Sequence, residues 1–186
     1  TISNGVFPFP ADINLGAAPT VANYNIYLSG GTLNFSNTLT LNPKRLMLLA
    51  LNSTLSVSAG QTLSYAGQIT GTASLTKKGA GTLALSGGNG YNGSTTIAAG
   101  TLEADDQGGS TTGTNAVLVQ TGATLSGEGL VSGPVSGTGS IAPGTAAGPA
   151  TLSLGGGLNL SSGGTLVWTL TTNDTASGFS SLSLIG

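Results

Sequence analysis

Gly81-Thr82-Leu83-Ala84-Leu85-Ser86-Gly87 alternates apolar and small polar side chains between two glycines. Alternation over so short a run, bounded by glycine, marks a half-buried β-strand. Its opening phrase, a small residue followed by Thr-Leu, recurs along the chain. It appears at Gly31-Thr32-Leu33, Ser53-Thr54-Leu55, Gln61-Thr62-Leu63, Gly100-Thr101-Leu102, Ala123-Thr124-Leu125, Ala150-Thr151-Leu152 and Gly164-Thr165-Leu166. Thr32 to Thr54 is 22 residues, Thr62 to Thr82 is 20, Thr82 to Thr101 is 19 and Thr101 to Thr124 is 23, with looser steps of 27 and 14 afterwards. The same alternation fills Leu158-Asn159-Leu160 and Leu182-Ser183-Leu184. Helical periodicity is nearly absent. The stretch from Lys44 to Leu51 follows Pro43 and is apolar all round, which suits a buried strand as well as a short helix.

Short strands returning every 19–23 residues predict a parallel β-solenoid of roughly nine coils. At about 4.8 Å per coil the column would be on the order of 40 Å long. Glycine suits the corners because it accepts positive φ and carries no side chain to meet the coil above. An antiparallel sandwich also has short strands and frequent turns, but it does not repeat one strand phrase at a near-constant interval. Residues 1–30 differ in composition, holding Phe7, Phe9, Tyr24 and Tyr27 among Pro8, Pro10 and Pro19. They read as an N-terminal cap or an extended arm, with the solenoid over residues 31–186 and an open strand at 182–186.

Composition narrows the chemistry. The chain has 186 residues, with 5% charged, 32 glycines, no His and no Cys. No imidazole base, Ser-His-Asp triad or thiolate nucleophile can be built from it, nor any disulfide. Four basic residues and a net charge of −2 argue against nucleic acid, which calls for clustered Lys and Arg. The longest apolar run, Leu46 to Leu51, is too short to span a bilayer. Mean hydropathy is +0.27, and with so little charge this suggests a chain that associates. It opens at Thr1 with neither Met nor leader, and so reads as a processed or excised product.

Residues 67–103 carry a denser pattern. Gly67-Gln68-Ile69-Thr70-Gly71 leads to Ser74-Leu75-Thr76-Lys77-Lys78-Gly79-Ala80-Gly81-Thr82-Leu83-Ala84-Leu85-Ser86-Gly87, then Asn89-Gly90-Tyr91-Asn92-Gly93-Ser94-Thr95-Thr96-Ile97 and Ala99-Gly100-Thr101-Leu102. This resembles the passenger-associated repeat of bacterial autotransporters, with Ala73 standing where glycine is usual. Residues 127–186 resemble the stretch that often follows that repeat, through Gly139-Ser140-Ile141-Ala142-Pro143-Gly144 and the closing Leu182-Ser183-Leu184-Ile185-Gly186. The resemblance implies a right-handed β-helix at the bacterial surface or outside the cell. It implies no catalytic residue, metal or cofactor. The family's membrane barrel is missing from the sequence given, so the chain reads as a passenger fragment or a free protein built from such repeats.

Several motifs admit sharper readings. Gly88-Asn89-Gly90-Tyr91-Asn92-Gly93 matches G-x-G-x-x-G, but Ser94 to Ile97 reads as strand where a dinucleotide site needs a helix. Ser74-Leu75-Thr76-Lys77 matches S-x-x-K without the companion motifs of penicillin-recognising enzymes. Lys77 and Lys78 are expected to keep a corner solvated. Glu103, Asp105 and Asp106 could ligate calcium, although a solvated loop explains them more simply. Asp12, Glu128 and Asp174 are isolated, and a glycosidase pair would require some of these acids to converge in space. Thr38-Leu39-Thr40 and Thr169-Leu170-Thr171 raise an ice-binding reading, yet such triplets do not recur at the coil period. The N-x-S/T sequons at Asn34, Asn52, Asn92, Asn159 and Asn173 follow from Ser and Thr richness.

The expectation is therefore a non-enzymatic extracellular rod that stacks head to tail through an assembly edge of Phe7, Phe9, Leu182, Leu184 and Ile185. Its partners would be copies of itself or neighbouring passenger modules. A stalk or adhesin module binding surface glycans is the second reading, and a carbohydrate-active enzyme on a β-helix the third.

Overall fold

A computed structural model describes residues 1–3, 5–106, 108–145, 147–169 and 180–185. Every strand pairing between its named strands is parallel, with the partner one coil away in sequence, and this is the geometry of a β-solenoid. Three faces wind in turn. The first is split: Ile2–Ser3, Asn23–Ser29, Arg45–Leu51 and Ile69–Gly71 stack near the start, and Leu130–Val131, Thr151–Leu154 and Ser181–Leu184 near the end. The second face runs through eight strands from Val6–Pro8 to Leu158–Asn159, and the third through seven from Leu39–Leu41 to Thr165–Leu166. About seven turns thus carry both long faces among the described residues, and partial turns flank them.

Side-chain alternation and register together make the core. On the third face Leu63, Leu83, Leu102, Leu125, Ile141 and Leu166 fall one above another and point inward. One residue earlier, Thr62, Thr82, Thr101, Thr124, Ser140 and Thr165 form an outward file. The second face repeats the arrangement with Thr32, Thr54, Thr76 and Thr96 outside and Leu33 and Leu55 inside. The recurring Thr-Leu phrase is thus a rung position, with Thr towards solvent and Leu towards the core. The phrases at Thr32 and Thr54 belong to the second face and those from Thr62 to Thr124 to the third. Apolar side chains in each inward file stay covered from both sides, which gives the continuous buried cluster that runs from Ile2 to Leu154.

The ambiguous stretch after Pro43 is the strand Arg45–Leu51, with Met47 and Leu49 inward and Leu46 and Leu48 outward. Within residues 1–30, Ile2–Ser3 and Val6–Pro8 pair with Asn23–Ser29 and Thr32–Phe35, so they lie on a rung of the column. The 3₁₀ turn Asp12–Leu15 is tied to the third rung by Arg45. Its guanidinium is buried, bonds Asp12 Oδ1 at 2.7 Å, and donates to the carbonyls of Leu15 and Gly16. A buried charge held this way is neutralised by its partner and its donors are used.

Corners are where glycine is required. Gly79 turns the chain from the second face to the third at φ 75°, and a Cβ there would stand 2.1 Å from the Val57 carbonyl oxygen of the rung below. Gly79→Ala is therefore expected to lower unfolding stability by more than about 2 kcal/mol in a urea titration, while Gly90→Ala, where a Cβ meets nothing within 4 Å, should cost far less.

Candidate functional site

The densest part of the sequence builds internal braces. Lys77 does not solvate a corner as expected from its charge: it is fully buried. It occupies the inward position two residues after Leu75, in the file that carries Leu55 below and Ile97 above. Its ammonium donates to the carbonyls of Lys78 at 2.9 Å, Gly79 at 2.8 Å and Ala99 at 2.9 Å, which closes the corner from inside. Burial pushes its pKa down to about 8. Ser74 points elsewhere, with its hydroxyl 3.2 Å from Ser94 Oγ, so the S-x-x-K spacing brings no nucleophile to the lysine.

Asn89 and Tyr91 span the gap in the first face. Asn89 Oδ1 accepts from the Ile69 amide at 2.7 Å and Nδ2 donates to the Thr111 carbonyl at 2.7 Å, so a side-chain amide replaces a missing peptide in the ladder. The Tyr91 hydroxyl meets Thr95 Oγ1 at 2.5 Å, and Thr95 passes a bond to the Thr112 carbonyl. Burial raises the Tyr91 pKa. The G-x-G-x-x-G match is thus a stacked corner followed by the strand Thr95–Ile97.

The acids are arranged less evenly than the sequence suggests. Ala104 is in register with Gly127, so the residues that follow, Asp105 and Glu128, leave adjacent rungs at the same corner. The charges of Glu103 and Glu128 both act on Asp105, and the Glu128 backbone amide bonds its carboxylate. Asp105 Oδ1 is buried without a hydrogen-bond partner. Burial first, then the two neighbouring charges, push the Asp105 pKa up to about 6. Asp106 turns away and accepts the Gly108 amide at 2.9 Å. No cluster of three or more candidate ligands suited to a metal ion forms among the described residues. Asp12 is engaged by Arg45, and Asp174 lies outside the described residues. A groove of about 530 Å³ beside the corner is lined by Glu128, Leu130, Thr151 and Ile185, but the orphaned Asp105 oxygen is buried.

The five residues expected at an assembly edge lie on or beside the first and last described rungs. Phe7 is in register with Leu33 and lies on the first rung, 37% exposed. Phe9 packs on the core, its ring 6.2 Å from that of Phe35. Leu182 stacks on Leu152 and is half-buried, whereas Leu184 and Ile185 are exposed. Nothing in the sequence pattern foretold the Asn89 bridge or the Asp105–Glu128 stack, because each depends on register between rungs of unequal length, whereas the inward Lys77 was readable from its place two residues after Leu75.

Parallel rungs, inward leucine files and glycine corners define a β-solenoid. Residues 75–104, a small part of the chain, match the family model of the passenger-associated-transport-repeat. It is 36% identical over 163 residues to the adhesin BmaC autotransporter of Brucella suis biovar 1 (strain 1330), a match covering 83% of this chain and 5% of that protein. It is 42% identical over 86 residues to an extracellular serine protease of Serratia marcescens, covering 46% of this chain and 8% of that protein. The chain thus spans a small part of the relatives it matches. No solved structure matches it.

Asp105 holds its proton more tightly folded than unfolded, so its stabilising effect is complete below the unfolded value of 3.8 and is lost as pH rises through about 6. Asp105→Asn keeps the acceptor for the Glu128 amide and removes the charge. At pH 7 it should raise stability by about 1 kcal/mol once solvent screening is allowed for, and a melting series from pH 4 to 7 should show a flatter profile than the parent.

Proposed function

We propose that this chain is a segment of a non-enzymatic, extracellular rod of the autotransporter-passenger type, which extends by stacking rung on rung at its ends. The strands with one ladder partner at the first and last described rungs, with exposed apolar groups beside them, carry the reading. Val6 and Phe7 are exposed on the first rung, Ile13 on the 3₁₀ turn after it, and Leu184 and Ile185 beside the last described strand, while Leu51 and Leu118 are exposed on rungs between. Along the middle rungs the backbone is consumed by ladders on both sides, so the ends are where further strands can add. The rung that adds there is following chain or a second copy in head-to-tail contact. The adhesin relative, which aligns with most of this chain through a small fraction of its own length, supports a stalk built from many such segments.

A second reading, a module that binds host surfaces or glycans, is favoured by the name of that relative. The enzyme reading is weaker. Glu103, Asp105 and Glu128 do interact, yet the Asp105 oxygen without a partner is buried, and the absence of His leaves no Ser-His-Asp triad within this chain.

Sedimentation and negative-stain microscopy of the purified chain test the stacking of copies. Particles of constant width whose length grows with concentration are expected, and Leu184→Asp should shorten them by placing a charge in the junction. Compact monomers at every concentration would contradict stacking between copies.

A further inference from the structure

Asparagine followed by glycine is a reactive pair, because no β-carbon shields the glycine amide nitrogen from the neighbouring side-chain amide. The chain holds Asn89-Gly90 and Asn92-Gly93 two residues apart, and a further pair, Asn4-Gly5, that begins outside the described residues. The fold treats the two described pairs oppositely. Asn89 is buried, and its side chain is held from both ends by the Ile69 amide and the Thr111 carbonyl. The Gly90 amide donates to the Ile69 carbonyl at 2.9 Å. Electrophile and nucleophile are therefore both engaged at this pair. Asn92 is exposed where the chain turns into the second face, and its side chain makes no hydrogen bond among the described residues. The Gly93 amide makes none either. Only the Asn92 backbone is held: its amide donates to the Gly71 carbonyl at 2.9 Å, and its carbonyl accepts Asn115 Nδ2 at 3.1 Å. Packing demands glycine at 93, since a Cβ there would stand 2.2 Å from the Ala73 backbone of the rung below.

We propose that Asn92 is a site of spontaneous covalent modification, converting to aspartate and isoaspartate in the folded chain. The Gly93 amide nitrogen bonds to Asn92 Cγ as the Cγ–Nδ2 bond breaks. Solvent base takes the Gly93 amide proton and the departing nitrogen takes up another, so ammonia leaves and a succinimide ring remains. Water then opens the ring without any change of oxidation state. Cleaving the bond from nitrogen to Cγ leaves aspartate, and cleaving the bond to the main-chain carbonyl carbon leaves isoaspartate. The reacting groups are neighbours in one chain, so the step is intramolecular. At Asn89 the same step must first break the bonds to Ile69 and Thr111. In isoaspartate the main chain runs through Cγ and gains a methylene. The carbonyl that accepts Asn115 becomes part of a free carboxylate. Tyr91 is buried on one side of this residue and Gly93 packs on Ala73 on the other, so the longer chain loosens the corner. The proposal is independent of whether the ends stack.

The test is ageing of the intact chain at pH 7.4 and 37 °C, beside a sample unfolded in guanidinium chloride. Trypsin and glutamyl endopeptidase together release residues 79–103, a peptide that carries both asparagines and so gives each sample its own control. Tandem mass spectrometry reads amide-to-acid conversion at each position, and labelling by isoaspartyl methyltransferase reads the isoaspartate. In the folded chain Asn92 should convert about tenfold or more faster than Asn89, and in denaturant the two rates should come within about threefold of each other. Asn92→Gln should remove most of the folded-state conversion in this peptide. The aged parent should unfold at a lower denaturant midpoint than the fresh one, and the aged Asn92→Gln chain should fall less. Equal rates at the two positions in the folded chain, or an Asn92 that stays amide when folded and converts only in denaturant, would overturn the proposal. An unmoved midpoint after conversion, or an equal fall in the variant, would overturn the loosening of the corner.

Discussion

Everything in this molecule depends on parallel rungs lying in register, one strand spacing apart. That spacing places each side chain directly over the corresponding one of the rung below. Residues that stack on themselves are favoured, and residues that repel or crowd themselves are not. The outward Thr files, the inward Leu files and the glycine corners are three consequences of one constraint. So is the low charge of the chain, since a charged file would repel itself along its whole length.

The exceptions show how strict the constraint is. Arg45 and Lys77 enter the interior only because Asp12 and several carbonyls receive them. Asp105 lies against Glu128 with no cation to relieve it, and the mismatch appears as a carboxyl that holds its proton up to about pH 6. Where the first face is interrupted, the Asn89 side chain supplies the peptide-like group that the ladder lacks. Each departure from like-over-like stacking carries its own compensation or its own perturbed group.

The sequence made the rungs legible and their pairing only partly so. Alternation in Thr82-Leu83-Ala84-Leu85 reports which side chain points inward, and the recurrence of Thr-Leu reports that rungs repeat. The same phrase on two faces cannot report which copies are neighbours, because corners of different length shift the interval. Lys77 illustrates the loss: its charge suggested solvent, while its place two residues after the inward Leu75 already put it in the core file. The acids show the opposite case, since Glu128 is remote from Asp105 in sequence and becomes its neighbour only through the Ala104–Gly127 register.

Register is therefore the claim to test, and a chain without native cysteine makes the test clean. Paired cysteines at Thr82→Cys with Thr101→Cys, and at Thr54→Cys with Thr76→Cys, occupy neighbouring rungs of one face and should oxidise to intramolecular disulfides. Thr82→Cys with Thr96→Cys places the two on different faces and should stay reduced. Oxidation of the mismatched pair with the in-register pairs left as free thiols would contradict the stacking from which the rest of the account follows.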